Sequence, residues 1–406
     1  MANIDDASKQ ILSQYGLTPQ EEVLEVSRKK KRISIGIPRE TSMQEGRVPL
    51  APLAVESLVE SGHKVIIQRG LGKHAHFSDE KYASCGARMV DEAKEVFQAD
   101  VIIKVAPYTE KEIQMMRGEQ VVFSSLHAST HNKEYFASLL RKKVIAIAFD
   151  LLKDEQDSYP IVRSMSEIAG RSSIMIASEY LSNVHSGKGE LLGGITGVSP
   201  SEIVIIGAGT AGEYASRAAI AMGAQVKVFD KSVNRLTRLL NTLKHSVFTS
   251  ILQPQVLERA IKTADVVIGA VRMNDSRPVT IVTEDMVKNM KPDSVIIDIS
   301  IDQGGCVETS RQTNHNNPTY IKHQVIHYCV PNIASRVART ASYALSNILA
   351  PVLLKLGESG SPMIFLKQNY GYRKGVYTYN GILSNRLIGD MYGMYSRDID
   401  LLISAL

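Results

Sequence analysis

At 406 residues the chain is long enough for two or three domains with ample cores. Its 44% hydrophobic and 22% charged residues describe an ordinary globular protein, and a net charge of +5 gives no argument for nucleic acid. No apolar run reaches about eighteen residues, so neither a membrane span nor a membrane partner is expected.

The opening Met1-Ala-Asn-Ile-Asp-Asp6 lacks a basic-then-apolar leader, and the scattered Cys85, Cys306 and Cys329 suit a reducing, cytoplasmic setting. Residues 1–31 read as a helical extension. Thr18-Pro-Gln-Glu21 makes a capping box, and Val23, Leu24 and Val26 form a thin apolar face. The basic cluster Arg28–Arg32 reads as a solvated helix end, since no aromatic residues interleave it.

From Ile33 the pattern alternates between strand and helix. Short apolar runs at Ile33–Ile37, Lys64–Gln68, Asp100–Lys104, Gln120–Ser124 and Val144–Ala148 predict strands. Helical segments are expected between them at Leu53–Ser61, Glu92–Gln98 and Lys133–Lys142. A second unit opens with a helical stretch from Ser164 to about Asn183 and a Gly-rich turn, Leu192–Gly197. Predicted strands follow at Glu202–Ile206, Gln225–Asp230, Ser246–Thr249, Asp265–Gly269, Ser294–Ser300 and His323–Cys329. Residues 341–406 carry a helical pattern (Ala344, Leu345, Ile348, Leu349, Val352, Leu353) and then a polar, Tyr-rich tail that should return to the first unit. The expected fold is α/β, with two doubly wound, Rossmann-like parallel-sheet domains separated by a cleft. Their predicted extents are 32–160 plus 340–406 for a substrate domain and 161–339 for a dinucleotide domain, after the extension at 1–31.

The most specific local signal is the strand Glu202–Ile206 running into Gly207, Gly209 and Gly212, with a helix beginning near Thr210. The first glycine permits the tight turn, the second admits a pyrophosphate to backbone N–H groups, and the third lets helix and strand pack closely. Asp230 ends the next strand, where a carboxylate accepts both adenine-ribose hydroxyls and repels a 2′-phosphate. That favours NAD over NADP.

Hydride chemistry on an amino or 2-oxo acid needs cations for the carboxylate, an acid/base and a polar group that handles water. In the first unit Arg47, Lys104 and His127 follow the ends of predicted strands, where ligands bind in such folds. Taken singly, each also fits a surface charge or a satisfied histidine. Asp302 lies just past a strand before a glycine pair, which also fits a turn aspartate. Cys306, His315, His323, His327 and Cys329 have no metal-ligand spacing, so no metal is expected. Neither a G-x-S-x-G elbow nor a P-loop occurs.

These residues together make the chain resemble the alanine dehydrogenase family, which shares ancestry with the NAD(H)-binding part of proton-translocating transhydrogenase. The resemblance runs from about Ile33 to Lys355. It rests on Ile35–Glu40, Glu45–Val48, Ile103–Val105, Leu126-His127, Met165–Arg171, Leu192–Val198, the glycine turn, Ile301–Cys306, His327–Val330 and Tyr343–Asn347. It implies NAD-dependent, reversible oxidative deamination of L-alanine to pyruvate and ammonium by a cytoplasmic homohexamer. It further implies that Arg47 and Lys104 bind the substrate carboxylate, with Lys104 also near the carbonyl oxygen. His127 would be the general acid/base and Asp302 would position water. Met165 would line the pocket and Ser166 would touch the pyrophosphate. Thr210, Ala211, Asp230 and Arg235 would hold the adenosine half, and Ala270, Val271, Ile299, Val330 and Asn332 the nicotinamide half.

Three departures touch the pocket wall. Ser125 stands where the family usually carries Tyr, and should leave more room. Pro331–Ala338 replaces the usual Ala-Asn-Met-Pro-Gly-Ala-Val-Pro, and Arg272–Arg277 replaces a Leu-(Ile/Val)-Pro-Gly-Ala-Lys loop. An alternative is therefore an NAD-dependent dehydrogenase of a larger amino acid, of the saccharopine or lysine type. A non-catalytic NAD-binding regulatory protein is a third reading, which the retained Arg47, Lys104, His127 and Asp302 oppose. A transhydrogenase subunit is disfavoured by Met165–Ile168 and Ile301–Gly304, which differ from that family's segments.

Overall fold

The computed structural model describes residues 32–42, 44–126, 128–272 and 280–404. The expected N-terminal helical extension, His127 and most of the 272–277 departure lie outside these residues.

The first sheet takes strands β1 (Ser34–Ile37), β2 (Lys64–Gln68), β3 (Arg88–Val90), β4 (Val101–Ile103), β5 (Val121–Ser124) and β6 (Ile145–Ala148). The second takes β7 (Glu202–Ile206), β8 (Gln225–Asp230), β9 (Phe248–Ile251), β10 (Val266–Gly269), β11 (Val295–Asp298), β12 (Thr319–Lys322) and β13 (Val325–Tyr328). Two further strands, β14 (Val376–Tyr379) and β15 (Ile382–Leu383), return to the first sheet. Its order is β15-β14-β6-β5-β4-β1-β2-β3, and that of the second is β12-β13-β11-β10-β7-β8-β9. In both sheets the chain starts centrally, builds outward one way and then crosses over, which leaves a crevice beside the first strand.

Alternation along each strand explains how both faces are covered. Ile103, Phe123 and Ile147 enter one core and Ile102, Val122 and Ala146 the opposite one. In the second sheet Ile203, Ile205 and Ile268 face one core, whereas Val204, Ile206 and Val267 face the other. Each such buried branched side chain contributes about 1.5–3 kcal/mol. A single apolar face would not require these continuous runs.

Four helices position the site: α1 (Glu110–Met115), α2 (Pro160–Leu181), α3 (Thr210–Ala221) and α4 (Ala338–Glu358). By length and composition the segment Ile333–Glu358 could cross a membrane, although no long uninterrupted apolar run marks it. Its Leu345, Leu349, Leu353 and Leu356 instead fill the first core.

Both sheets are parallel through their centres, as expected, with antiparallel strands added at one edge of each. β12 pairs antiparallel with β13, and β14 with both β6 and β15. The Tyr-rich tail returns to the first sheet, as expected, and supplies two strands there. The predicted strand at Ser246–Thr249 moves to Phe248–Ile251, and the predicted helix at Glu92–Gln98 contracts to Ala93–Val96.

Candidate active site

Arg47 sits on the loop after β1, whose backbone is held by hydroxyls from the segment leading into α4 and from α4 itself. Ser335 Oγ accepts from Gly46 N at 2.7 Å and Ser342 Oγ from Val48 N at 2.9 Å. Ser346 Oγ accepts from Ala51 N. Ser342 and Ser346 are one helical turn apart, so both present their hydroxyls on one face. The Arg47 guanidinium grips Glu45 through Nε at 2.8 Å and Nη2 at 2.6 Å, and Nη1 meets Met165 Sδ at 3.3 Å. Burial would raise the Glu45 carboxyl, but the charge and hydrogen bonds of Arg47 outweigh it and hold it below the usual range.

Lys104 follows β4 and is fully buried. Its Nζ bonds both Glu112 oxygens, at 2.8 and 2.9 Å, and Thr41 Oγ1 at 3.3 Å, with Glu40 Oε2 at 3.9 Å. Glu112 is also the third helical residue of a capping box with Thr109, so the turn that starts α1 aims its carboxylate. Glu40 accepts from Val105 N at 2.6 Å. Burial pushes it up to about 8, despite Lys104.

At the end of β5, the Ser125 hydroxyl is committed to the Val105 carbonyl at 2.8 Å. Its hydroxyl is therefore not a free donor. His127 lies outside the described residues, but its neighbours are tethered. Leu126 N donates to Asp150 Oδ1 at 3.0 Å, and Tyr392 Oη donates to the Ala128 carbonyl at 2.8 Å. Burial pushes Asp150 up to about 6.

Across the cleft Asp302 rides on the 3-10 turn Ile299–Gln303 after β11. Asp298 fixes that turn by accepting from Ser300 N, Cys306 N and Ser310 Oγ. Asp302 is exposed on this turn, and partial desolvation with Asp298 nearby pushes it up to about 6, against a lowering influence from Arg272. Arg272 also acts on Asp150, and its guanidinium lies 5.5 Å from the Tyr159 ring centroid.

The glycine turn fits a dinucleotide by its own geometry. Gly207 has φ +111°, where a Cβ would lie 2.3 Å from the Ala270 carbonyl. A Cβ on Gly212 would lie 1.8 Å from the Gly207 carbonyl, whereas one on Gly209 would meet nothing within 4 Å. The middle glycine thus opens at the N-terminus of α3 while its neighbours are packed shut. At Gly170 of α2 a Cβ would reach the Ala211 carbonyl at 2.2 Å. Ser166 lies four residues before Gly170, on the same face of α2. Buried Asp230 accepts from Ala208 N at 2.7 Å and Ser232 N at 2.8 Å, with Arg235 Nη1 3.9 Å away. Each carboxylate oxygen keeps a second lone pair for another donor.

Ala270 and Val271 leave β10, with Val271 N on Ser300 Oγ at 3.0 Å, and Ile299 and Val330 pack in the core beneath. Asn332 lies two residues beyond Val330. In a left-handed conformation (φ +59°), it donates to Glu45 Oε2 at 3.0 Å and so joins the two halves of the cleft. His315 N makes a second such link, to Gln44 Oε1 at 2.8 Å.

Sequence reasoning singled out the cations but missed their carboxylate partners Glu40, Glu45 and Glu112, as well as Asp150 and Arg272. One signal was readable: Thr109-x-x-Glu112 has the capping-box spacing eight residues beyond Lys104.

Residues 36–169 match the alanine dehydrogenase/PNT N-terminal domain, and residues 173–386 the C-terminal domain of the same family. An alanine dehydrogenase of Methanococcus maripaludis is 40% identical over 349 residues, covering 86% of this chain and 93% of that protein. One of Staphylococcus epidermidis is 38% identical over 369 residues, covering 91% and 99%. Among solved structures, an L-alanine dehydrogenase superposes with a TM-score of 0.84 at 35% identity, covering 89% of this chain and 99% of its own.

Proposed function

This chain belongs to the alanine dehydrogenase/PNT family, and we propose that it catalyses the reversible, NAD-dependent oxidative deamination of L-alanine to pyruvate and ammonium. The observation that carries this reading is the pair of cations, buried Lys104 and largely buried Arg47, on strand-end loops, with the Arg47 loop linked through Glu45 to Asn332 of the other half. In it, Arg47 and Lys104 receive the substrate carboxylate, with Met165 and Ser125 bounding the side-chain space. Bound NAD supplies the hydride acceptor for the substrate Cα–H. His127 and Asp302 handle water addition and proton transfer at the resulting imine. Closing the cleft keeps water from the imine until then. Ser166, Gly207, Gly209 and Gly212 serve the pyrophosphate, and Thr210, Ala211, Asp230 and Arg235 hold the adenosine half. Ala270, Val271, Ile299, Val330 and Asn332 border the nicotinamide.

NADH formation across a panel of amino acids tests the substrate. Turnover confined to lysine- or glutamate-sized substrates would replace alanine with the larger-substrate reading, which the room beside Ser125 favours.

NAD is the cofactor in this proposal because Asp230 has lone pairs for ribose hydroxyls and a charge that repels a 2′-phosphate. Asp230→Ala is expected to reduce the NAD-over-NADP preference, measured as the ratio of kcat/KM values, at least tenfold. Equal use of NADP by the unaltered protein would overturn the NAD assignment.

We further assign 32–160 plus 340–406 to the substrate domain and 161–339 to the NAD domain, supported by the pairing of β14 with β6. A cytoplasmic homohexamer is our reading of its state. Support comes from three buried, unpaired cysteines and from Leu191, Ile195 and Val198, exposed apolar residues around one open cavity. Sedimentation of the purified protein at monomer mass would remove the oligomer.

A further inference from the structure

Five ionisable groups crowd the pocket that receives the substrate carboxylate: Glu40, Glu45, Arg47, Lys104 and Glu112. Arg47 is already bidentate on Glu45, and Lys104 on Glu112. The cations are therefore matched one for one before any substrate arrives, and Glu40 is the third carboxylate in a cluster with two positive charges. A substrate anion would be a fourth negative group. With all three glutamates ionised it would enter a buried site of net negative charge, where like charges are weakly screened.

Glu40 differs from the other two in its surroundings. Its oxygens accept from Val105 N at 2.6 Å and Ala106 N at 3.4 Å, and among the described residues no guanidinium or ammonium grips both. Lys104 Nζ stands 3.9 Å away, turned to Glu112.

We propose that Glu40 is a positioning residue of the carboxylate site: in its neutral form it keeps the five-group cluster balanced so that a substrate anion is admitted, and in its ionised form it competes for Lys104 and excludes that anion. The inference rests on Arg47 and Lys104 being the carboxylate site. No bond to carbon changes; the only transfer is of a proton between solvent and the Glu40 carboxyl.

The groups around Glu40 agree on direction. Burial raises it most, Lys104 lowers it, Glu45 raises it and the two N–H groups lower it, with the balance at about 8. Arg47 and Tyr108 also feel its charge, but the Tyr108 hydroxyl has the Ile102 and Phe123 carbonyls as its acceptors and is itself pushed up by burial. Below about pH 8 Glu40 is neutral and the site admits the anion; above it, substrate affinity falls.

The test is pyruvate binding to the full-length protein with saturating NADH, from pH 6.5 to 9.5. The unaltered protein should hold a constant dissociation constant up to about pH 8 and then weaken about tenfold per pH unit. Glu40→Gln, which keeps an acceptor for Val105 N but cannot ionise, should remain flat through pH 9.5. An alkaline limb set by His127 would survive this substitution, so a limb retained in Glu40→Gln overturns the inference. Calorimetry of the unaltered protein at pH 9, in two buffers of different ionisation heat, needs no variant. Uptake of close to one proton per pyruvate supports the inference, and no uptake overturns it. Failure to bind pyruvate at any pH overturns the carboxylate-site reading itself, and this inference with it.

Discussion

Lys104→Met is expected to lower folding stability by about 3–5 kcal/mol at pH 8, because it removes one partner of a buried ion pair and leaves the other. Glu112 and Glu40 both lose the cation that faces them, and the surrounding protein cannot hydrate them. The sign of the pH dependence follows. In the variant Glu40, already pushed up to about 8 by burial, loses the lysine that lowers it and rises further. A raised carboxyl leaves stability intact below its unfolded value, near 4.3, and loses it as pH climbs through the folded value. The deficit should therefore be larger at pH 8 than at pH 5 and keep growing above pH 8. Urea denaturation at both values measures it. Lys104→Met combined with Glu112→Gln should recover part of the loss, since glutamine can still close the capping box with Thr109 N. Pyruvate affinity should fall tenfold or more, from loss of a charge-assisted hydrogen bond worth about 1.5–3 kcal/mol. A stability change below about 1 kcal/mol would show that this pair is not the buried, mutually dependent unit argued above.

His127→Ala is expected to reduce kcat by about 10²–10⁴-fold while leaving the thermal midpoint nearly unchanged. Water addition to the imine and release of ammonium both need a group that gives and takes a proton near neutral pH, and histidine does so with little tuning. The residues on either side are anchored to Asp150 and Tyr392, so the loop keeps its path when one side chain is shortened. Single-turnover measurements with alanine and NAD separate the chemical step from product release. Turnover within threefold of the unaltered enzyme would remove His127 from the mechanism and direct attention to Asp150, whose burial already holds it at about 6.

Most strands were legible because buried parallel strands carry continuous apolar runs, and Lys64–Gln68 and Gln225–Asp230 match residue for residue. The strands that escaped have specific causes. Arg88–Val90 is three residues long at a sheet edge, too short for a period to register. The β12–β13 hairpin turns through His323 and Gln324, both at positive φ, without the Asn-Gly or Asp-Gly pair that normally announces such a turn. The β14–β15 hairpin does carry that pair, at Asn380-Gly381, but the Tyr-rich context masks the alternation around it.

At the site, the residue types that do chemistry were visible while their pairing was not. The glycine turn is a local device. Its spacing alone dictates where backbone can approach a phosphate, and the structure adds only the open side of Gly209. The alternation of apolar runs likewise determined two doubly wound units, since the period of a strand is written in consecutive residues. Charge pairing obeys no such period. Lys104 finds Glu112 because a capping turn bends α1 back onto the end of β4, and Asn332 reaches Glu45 from 287 positions away, because the two cleft edges meet. Coulomb attraction in a buried site depends on distance and on excluded water, and both are created only when the chain closes. Sequence therefore determined which cations and acids are available, and tertiary structure alone decided that two cations face three carboxylates there.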